Sequence, residues 1–104
     1  MTVPPSADTV RATIGEIVSS RELVGRVVRV TGRCLDAPHL RPIGPPPLKR
    51  SDWQLADDTT AIYVSGSAPA ACSDQSLVTI VARVEQDTVR PAGVSRRYLV
   101  RLDR

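Results

Sequence analysis

The residue types with the clearest chemical meaning in this chain are its arginines and its few aromatic side chains. Lys and Arg number 14 against 11 Asp and Glu, which gives a net charge of +3, and the aromatic residues are Trp53, Tyr63 and Tyr98 alone. Guanidinium groups bind phosphates, and aromatic rings stack on bases, so both types serve single-stranded nucleic-acid binding. The sequence meets the charge requirement better than the stacking requirement.

Residues suited to catalysis or metal binding are sparse. His39 is the single histidine and stands alone in a proline-rich segment. The two cysteines lack the close spacing of zinc ligands, and no nucleophile is paired with a histidine. Asp57 and Asp58 are adjacent acids, and such pairs form turns more often than magnesium sites. We therefore predict no enzyme activity, no metal and no cofactor.

The N-terminal residues and the cysteines both bear on the compartment. No basic segment followed by an apolar stretch opens the chain, and no apolar run approaches the roughly 20 residues of a membrane helix, so we predict a cytoplasmic protein without a membrane partner. Separated cysteines in the cytoplasm usually remain reduced, small and buried. We therefore expect Cys34 and Cys72 to be reduced, with a disulfide between them as the alternative.

The chain is predicted to hold one domain after a short N-terminal arm. Residues 1–12 include Pro4 and Pro5 and show no periodicity, which predicts a flexible arm. Thr13 and Glu16 have the spacing of a capping box, and apolar residues then recur on one face, which predicts a helix over about 14–22. Residues 13–104 form the predicted domain.

Five segments alternate apolar and polar residues in the manner of strands: 26–35, 52–57, 61–65, 77–85 and 96–102. Gly32 inside the first of them predicts a bend or bulge, by which one long strand serves two halves of a small barrel. The prolines of residues 37–50 predict a long loop, because proline cannot donate to a strand ladder. This order predicts an all-β fold, a five-stranded Greek-key barrel of the oligonucleotide/oligosaccharide-binding (OB) type with a short N-terminal helix.

Four segments carry a resemblance to a known superfamily: GRVVRVTGR at 25–33, WQLAD at 53–57, AIYV at 61–64 and VTIVARV at 78–84. They resemble the OB folds of the anticodon-binding domains of class II aminoacyl-tRNA synthetases and of small replication-protein-A-like subunits. The resemblance covers roughly residues 14–102 and implies binding of single-stranded nucleic acid. It places Trp53 where an aromatic residue opens the second strand. The superfamily usually has glycine in the turn after this strand, whereas Asp58 follows Asp57 here.

The candidate nucleic-acid-binding residues are basic side chains on the strands and on the proline loop, together with two aromatic rings. Strand parity directs Arg29 and Arg33 outward, and we expect Arg97 and Arg101 to point outward as well. The alternative for this basic face is an ordinary solvated strand surface. The full set is Arg29, Arg33, Arg41, Lys49, Arg50, Trp53, Tyr63, Arg97 and Arg101.

The three aromatic residues differ in their predicted exposure. Tyr63 has the parity opposite to its apolar neighbours, so we expect it to be exposed and available for stacking. Trp53 shares parity with Leu55, and it either plugs the barrel mouth or faces a ligand. Tyr98 is in phase with Val100, so we expect it in the core.

Two functions from different classes remain open on the sequence. The first is binding of single-stranded DNA or RNA through backbone charge and one or two stacked bases. The second is protein assembly, either as a subunit of a complex or as a homo-oligomer, and the proline-rich segment 41–50 also has the composition of a polyproline ligand for another protein.

Overall fold

The computed structural model describes residues 9–36, 39–44, 46–49, 52–69, 72, 75–89 and 94–102. Its elements are β1 (Thr9–Arg11), α1 (Ile14–Ser19), a 3₁₀ turn (Arg21–Leu23), β2 (Val27–Leu35), β3 (Trp53–Ala56), β4 (Ala61–Ser65), β5 (Leu77–Val89) and β6 (Val94–Arg101). No helix in these ranges is long and apolar enough to cross a membrane.

Strands β2 to β6 close into a barrel. β2 pairs antiparallel with both β3 and β5, β3 pairs antiparallel with β4, β4 pairs parallel with β6, and β6 returns antiparallel to β5. The order around the barrel is therefore β2-β3-β4-β6-β5 and back to β2. This arrangement confirms the prediction of an all-β, OB-type barrel.

β2 is shared between two halves of the barrel, as the glycine within it suggested. Residues 27–33 pair with β5, and residues 33–35 pair with β3. A Cβ atom on Gly32 would lie 2.8 Å from Ile14 Cδ1 and 2.8 Å from Leu55 Cγ. Glycine is required here because helix α1 and strand β3 both press against the backbone of β2.

The segment around β1 differs from the predicted flexible arm. Thr9 and Arg11 pair in parallel with Val27 and Arg29 of β2, and Val10 packs against the core. Polar and apolar residues alternate from Thr9 onward, as they do in strands, but the prolines before Thr9 led to the prediction of a flexible arm. Residues 1–8 of the predicted arm lie outside the described residues.

Helix α1 seals one end of the barrel with two isoleucines. The Thr13 hydroxyl accepts from the Glu16 backbone N–H (3.1 Å), and the Glu16 carboxylate accepts from the Thr13 N–H (2.9 Å), so the predicted capping box is present. Ile14 and Ile17 belong to the same buried cluster as the inward side chains of the strands. The helix ends at Ser19, before the 3₁₀ turn, and is shorter than predicted.

A disulfide joins Cys34, near the end of β2, to Cys72, in the connector between β4 and β5. The two Cα atoms are 4.9 Å apart, and both side chains are buried in the core. The expectation of reduced cysteines is therefore wrong. The cysteines meet because the connector returns to β2, where the Cys34 N–H donates to the Ser76 carbonyl (3.0 Å). This contact is long-range, so the spacing of the two cysteines in the sequence could not predict it.

Candidate nucleic-acid interface

The face that OB barrels use for oligonucleotides lies on the second and third barrel strands, beside the loop after the first strand. In this chain those strands are β3 and β4, and every residue of both is buried. The outward positions are buried because residues 39–44 and 46–49 lie over them. We refer to these two stretches as the covering loop.

Gln54 binds the covering loop to β3 by imitating a strand pairing. Its side-chain Oε1 accepts from the Arg41 N–H (2.8 Å), and its Nε2 donates to the Arg41 carbonyl (2.9 Å). The side chain is fully buried. Both main-chain polar groups of one loop residue are thereby satisfied, which holds the proline-rich segment down although it cannot form a ladder of its own.

Tyr63 supplies a second attachment, and the prediction that it is exposed is wrong. Its hydroxyl donates to the Gly44 carbonyl (2.8 Å), and only 5% of the residue is accessible. Strand parity had placed the ring on the outward side correctly, but the covering loop lies over that side. Leu40 adds an apolar contact to the small cluster of Leu35, Ala56 and Ala61 beneath it.

Asp52 fixes the far end of the covering loop. One carboxylate oxygen accepts from the backbone N–H groups of Leu48 (3.1 Å) and Lys49 (3.0 Å), and the residue is almost completely buried. The Lys49 side chain is exposed and borders a cavity of about 330 Å³ together with Gly66 and Ser67. Arg101 of β6 donates to the Ser67 carbonyl (2.8 Å), so Lys49 and Arg101 both lie beside residues 66–67.

The other two aromatic rings are also withheld from solvent to different degrees. Trp53 is 1% exposed and fills the core, so the plugging interpretation of its parity is the one observed; its indole N–H has no partner among the described residues. The prediction that Tyr98 lies in the core is wrong: Tyr98 is half-buried, because its neighbour Leu99 has the inward parity and occupies the core instead. Desolvation raises the pKa of the Tyr98 hydroxyl, and the carboxylates of Asp87 and Glu85 raise it further.

Arg97 and Arg101 do not point outward, in contrast to the prediction. Both share the parity of Leu99, which faces the core. The Arg97 guanidinium donates to the carbonyls of Ile17 (3.1 Å) and Val18 (2.9 Å) at the end of α1, and that of Arg101 donates to Ser67 (2.8 Å).

Two further arginines of the predicted set are tied to backbone carbonyls. Arg33 is exposed on β2, as parity indicated, and donates to the Gln75 carbonyl (3.1 Å). Arg41 donates to the Thr60 carbonyl (3.3 Å). Arg29 is exposed on β2, and its side chain has no hydrogen bond within the described ranges, while Arg50 lies outside the described residues. Apart from Lys49 and Arg101, the described arginines of the predicted set contact different parts of the barrel.

Asp57 serves the turn between β3 and β4. Its Oδ1 accepts from the Thr59 N–H (2.9 Å), the Thr59 hydroxyl (3.2 Å) and the Thr60 N–H (2.8 Å). The hydrogen bond from the Thr59 N–H contributes most to lowering the pKa of this carboxyl, and the nearby Arg41 contributes as well. Asp57 therefore stabilises this turn by accepting three hydrogen bonds within it.

Sequence reasoning missed a different surface, on the solvent side of β2, β5 and β6. We call it the outer face. Its outward residues are Val27, Arg29, Thr31, Arg33, Leu77, Thr79, Val81, Arg83, Glu85, Tyr98, Val100 and, just after β6, Leu102. One residue of the sequence indicated this surface. Val81 points to the same side of β5 as the exposed Thr79 and Arg83, yet it is apolar, whereas a strand face in contact with water alone is usually polar.

Comparison with known proteins adds no identification. No family model, no curated protein and no solved structure matches the chain. The barrel type accordingly rests on strand order and pairing, and the resemblance to a nucleic-acid-binding superfamily stays a prediction.

Replacing Gln54 by Leu is expected to release the covering loop. The substitution leaves the Arg41 N–H and carbonyl without partners under the loop, at a cost of about 1–3 kcal/mol in the free energy of unfolding. Limited trypsin digestion under native conditions should then cleave after Lys49 much faster than in the wild type. Gln86→Leu, on the exposed part of β5, is the control and should leave the rate unchanged. Equal cleavage rates for both variants would show that Gln54 does not hold the loop.

Proposed function

We propose that this chain is a protein-docking module that binds a partner protein through the outer face. The observation that carries the proposal is the row of apolar side chains Val81, Tyr98, Val100 and Leu102, which we call the apolar stripe. Leu102 is 43% exposed, and the other three are half-buried on a strand surface that no described segment covers. Exposed apolar and aromatic side chains beside arginines are typical of protein interfaces.

The strand register makes the stripe continuous. The Leu102 N–H donates to the Val81 carbonyl (2.8 Å), which sets these two residues beside each other across β5 and the end of β6. Val100 is two residues before Leu102 and Tyr98 two before that, so all three point to the same side. Neighbouring outward positions on paired strands are within contact distance. A partner can therefore cover all four side chains at once.

The charges around the stripe indicate what kind of partner fits. Arg29 lies directly opposite Val81, and Arg83 lies directly opposite Val100. Glu85 and Asp87 are the acidic residues at the outward positions of β5, and each lies beside an arginine: the Glu85 carboxylate is 3.9 Å from the Arg83 guanidinium, and the Asp87 carboxylate is 3.3 Å from Arg96 Nε. The rim is thus positive, which favours a partner with apolar side chains flanked by Asp or Glu. A second copy of this chain on the same face would set arginines against arginines.

Two features favour this function over the predicted nucleic-acid binding. The usual oligonucleotide face is occupied by the covering loop, and the Trp53 and Tyr63 rings that could stack on bases are buried.

The disulfide bears on the compartment in which the protein works, because disulfides persist in oxidising surroundings and are rare in the cytoplasm. We therefore propose that the folded chain works in an oxidising compartment, in place of the predicted cytoplasmic location.

A displayed library of random peptides, selected against the immobilised protein, tests the proposal. Enriched peptides should combine apolar residues with flanking Asp or Glu. Leu102→Asp should weaken their binding by about tenfold or more, the effect of removing one well-packed interface residue. Leu48→Asp is the matched control, because Leu48 is 60% exposed on the covering loop and should bind peptides as the wild type does.

The other outcomes each oppose the proposal. Loss of peptide binding in Leu48→Asp alone would move the docking site to the covering loop. A library that yields no peptide, together with tight and salt-sensitive binding of a labelled oligothymidylate in anisotropy measurements, would favour the nucleic-acid function instead.

A further inference from the structure

A cavity of about 770 Å³ opens where β1 and β2 meet helix α1 and the β3–β4 turn. Its cationic lining is Arg11 of β1 and Arg29 of β2, which are direct partners in the parallel pairing and point to the same side. We infer that this cavity is a binding site for a small tetrahedral oxyanion, such as phosphate or the phosphoryl group of a phosphate monoester. Arg29 also belongs to the positive rim of the outer face, but the cavity is lined by none of the four residues of the apolar stripe, and the site does not depend on the docking proposal.

The two arginines lack counter-charges of their own. The side chains of Arg11 and Arg29 make no hydrogen bond or ion pair with any described residue, and both are exposed. Like charges directly opposite each other on neighbouring strands repel, which costs stability. An anion held between the two guanidinium groups removes that cost and adds charge-assisted hydrogen bonds.

The carboxylates that border the cavity are engaged elsewhere. Glu16 uses one oxygen to accept from the Thr13 N–H in the capping box. Asp57 uses Oδ1 for three bonds in its own turn, and the cation that lowers its pKa is Arg41, not Arg11 or Arg29. Neither carboxylate therefore forms an ion pair with Arg11 or Arg29.

Threonine hydroxyls complete the set of donors. Thr31 and Thr79 lie opposite each other on β2 and β5, and their hydroxyl oxygens are 2.6 Å apart. One hydrogen is used between them, which leaves the hydrogen of the other hydroxyl free to donate into the cavity. The Thr13 hydroxyl accepts from the Glu16 N–H and likewise keeps its own hydrogen. Donors on several sides suit the tetrahedral oxygens of phosphate better than the two oxygens of a carboxylate.

Titration of the ¹⁵N-labelled protein with inorganic phosphate at constant ionic strength tests the site. The amides of Thr31 and Thr79 and the Nε signals of Arg11 and Arg29 should shift and saturate together. Arg29→Gln should weaken binding by about tenfold or more, because it removes one charged donor. Arg21→Gln is the control, since Arg21 is an exposed arginine on the 3₁₀ turn, away from this cavity, and should leave the affinity unchanged.

Titrations with phosphoserine and with chloride distinguish a phosphate monoester from the free phosphate ion and show which results would contradict the site. Phosphoserine that binds more tightly than inorganic phosphate identifies a phosphate monoester as the ligand, and equal affinity identifies the free ion. Shifts that stay linear with concentration, that persist in Arg29→Gln, or that chloride reproduces would overturn the site. Tyr98, Val100 and Leu102 of the apolar stripe lie on β6 or just after it and are not part of the cavity lining, so their amides should show no shift in any titration. A failure here is therefore distinct from a failure of the docking proposal.

Discussion

Removal of the Cys34–Cys72 disulfide is expected to lower the free energy of unfolding by about 4 kcal/mol. The bond closes a loop of 38 residues in sequence, and the lost constraint on the unfolded chain accounts for a cost of this size. Small domains have total stabilities of only about 5–15 kcal/mol, so the loss is a large fraction of the whole. The cysteines also anchor the connector between β4 and β5 to the core, where both are buried.

Urea unfolding with and without a reducing agent, followed by circular dichroism, measures this effect. Reductant should move the wild-type midpoint far to lower urea. The double variant Cys34→Ala/Cys72→Ala should unfold at low urea in both conditions, since it has no bond to reduce. A wild-type midpoint that does not respond to complete reduction, verified by thiol counting, would contradict the stabilising role.

Gly32→Val is expected to destabilise the barrel by about 3 kcal/mol, at the upper end for overpacked core positions. Even a bare Cβ at this position would lie 2.8 Å from side-chain carbons of Ile14 and Leu55, and 3.0 Å from the Ala56 carbonyl oxygen. The carbonyl belongs to β3 and cannot shift without disturbing the pairing of β2 with β3. Valine adds two methyl groups to that contact, so α1 or β3 has to move.

Thermal and urea unfolding of Gly32→Val and Gly15→Ala separate crowding from the general effect of adding a side chain. Gly15 is an exposed position of α1, and the only close neighbour of a Cβ there is the Thr13 hydroxyl oxygen at 4.0 Å. Gly15→Ala should raise stability by up to about 1 kcal/mol, as expected for alanine in a helix. Unchanged stability of Gly32→Val would mean that β2 is not pressed between α1 and β3.

Local signals in the sequence were sufficient for most of the fold. The capping box at Thr13 and Glu16 is present where it was expected. At Gly32 the pairing of β2 with β5 continues without a bulge, and the glycine is explained by the close approach of Ile14 and Leu55, which the sequence did not predict. The phase of β6 was ambiguous, because apolar residues occur at both parities around Leu99. The parallel pairing of Leu99 with Val64 decided the phase, and that contact is long-range.

The surface was harder to predict than the core. Outward parity for Tyr63 was correct, yet exposure did not follow, because a proline-rich loop without strand ladders of its own lies over β3 and β4. The side chain of Gln54 supplies the pairing that makes this possible. Arginines gave a similar result, since Arg97 and Arg101 bind backbone carbonyls within the fold instead of facing solvent. The charge pattern of a sequence does not show whether an arginine binds a backbone carbonyl within the fold or faces solvent.

Amide-shift mapping of an acidic, apolar peptide from the library selection on the ¹⁵N-labelled protein tests the docking function most directly. The largest shifts should fall on Val81, Tyr98, Val100 and Leu102, and they should be lost in Leu102→Asp while Leu48→Asp retains them. Shifts concentrated on β3, β4 and the covering loop would contradict the assignment of the outer face as the docking surface.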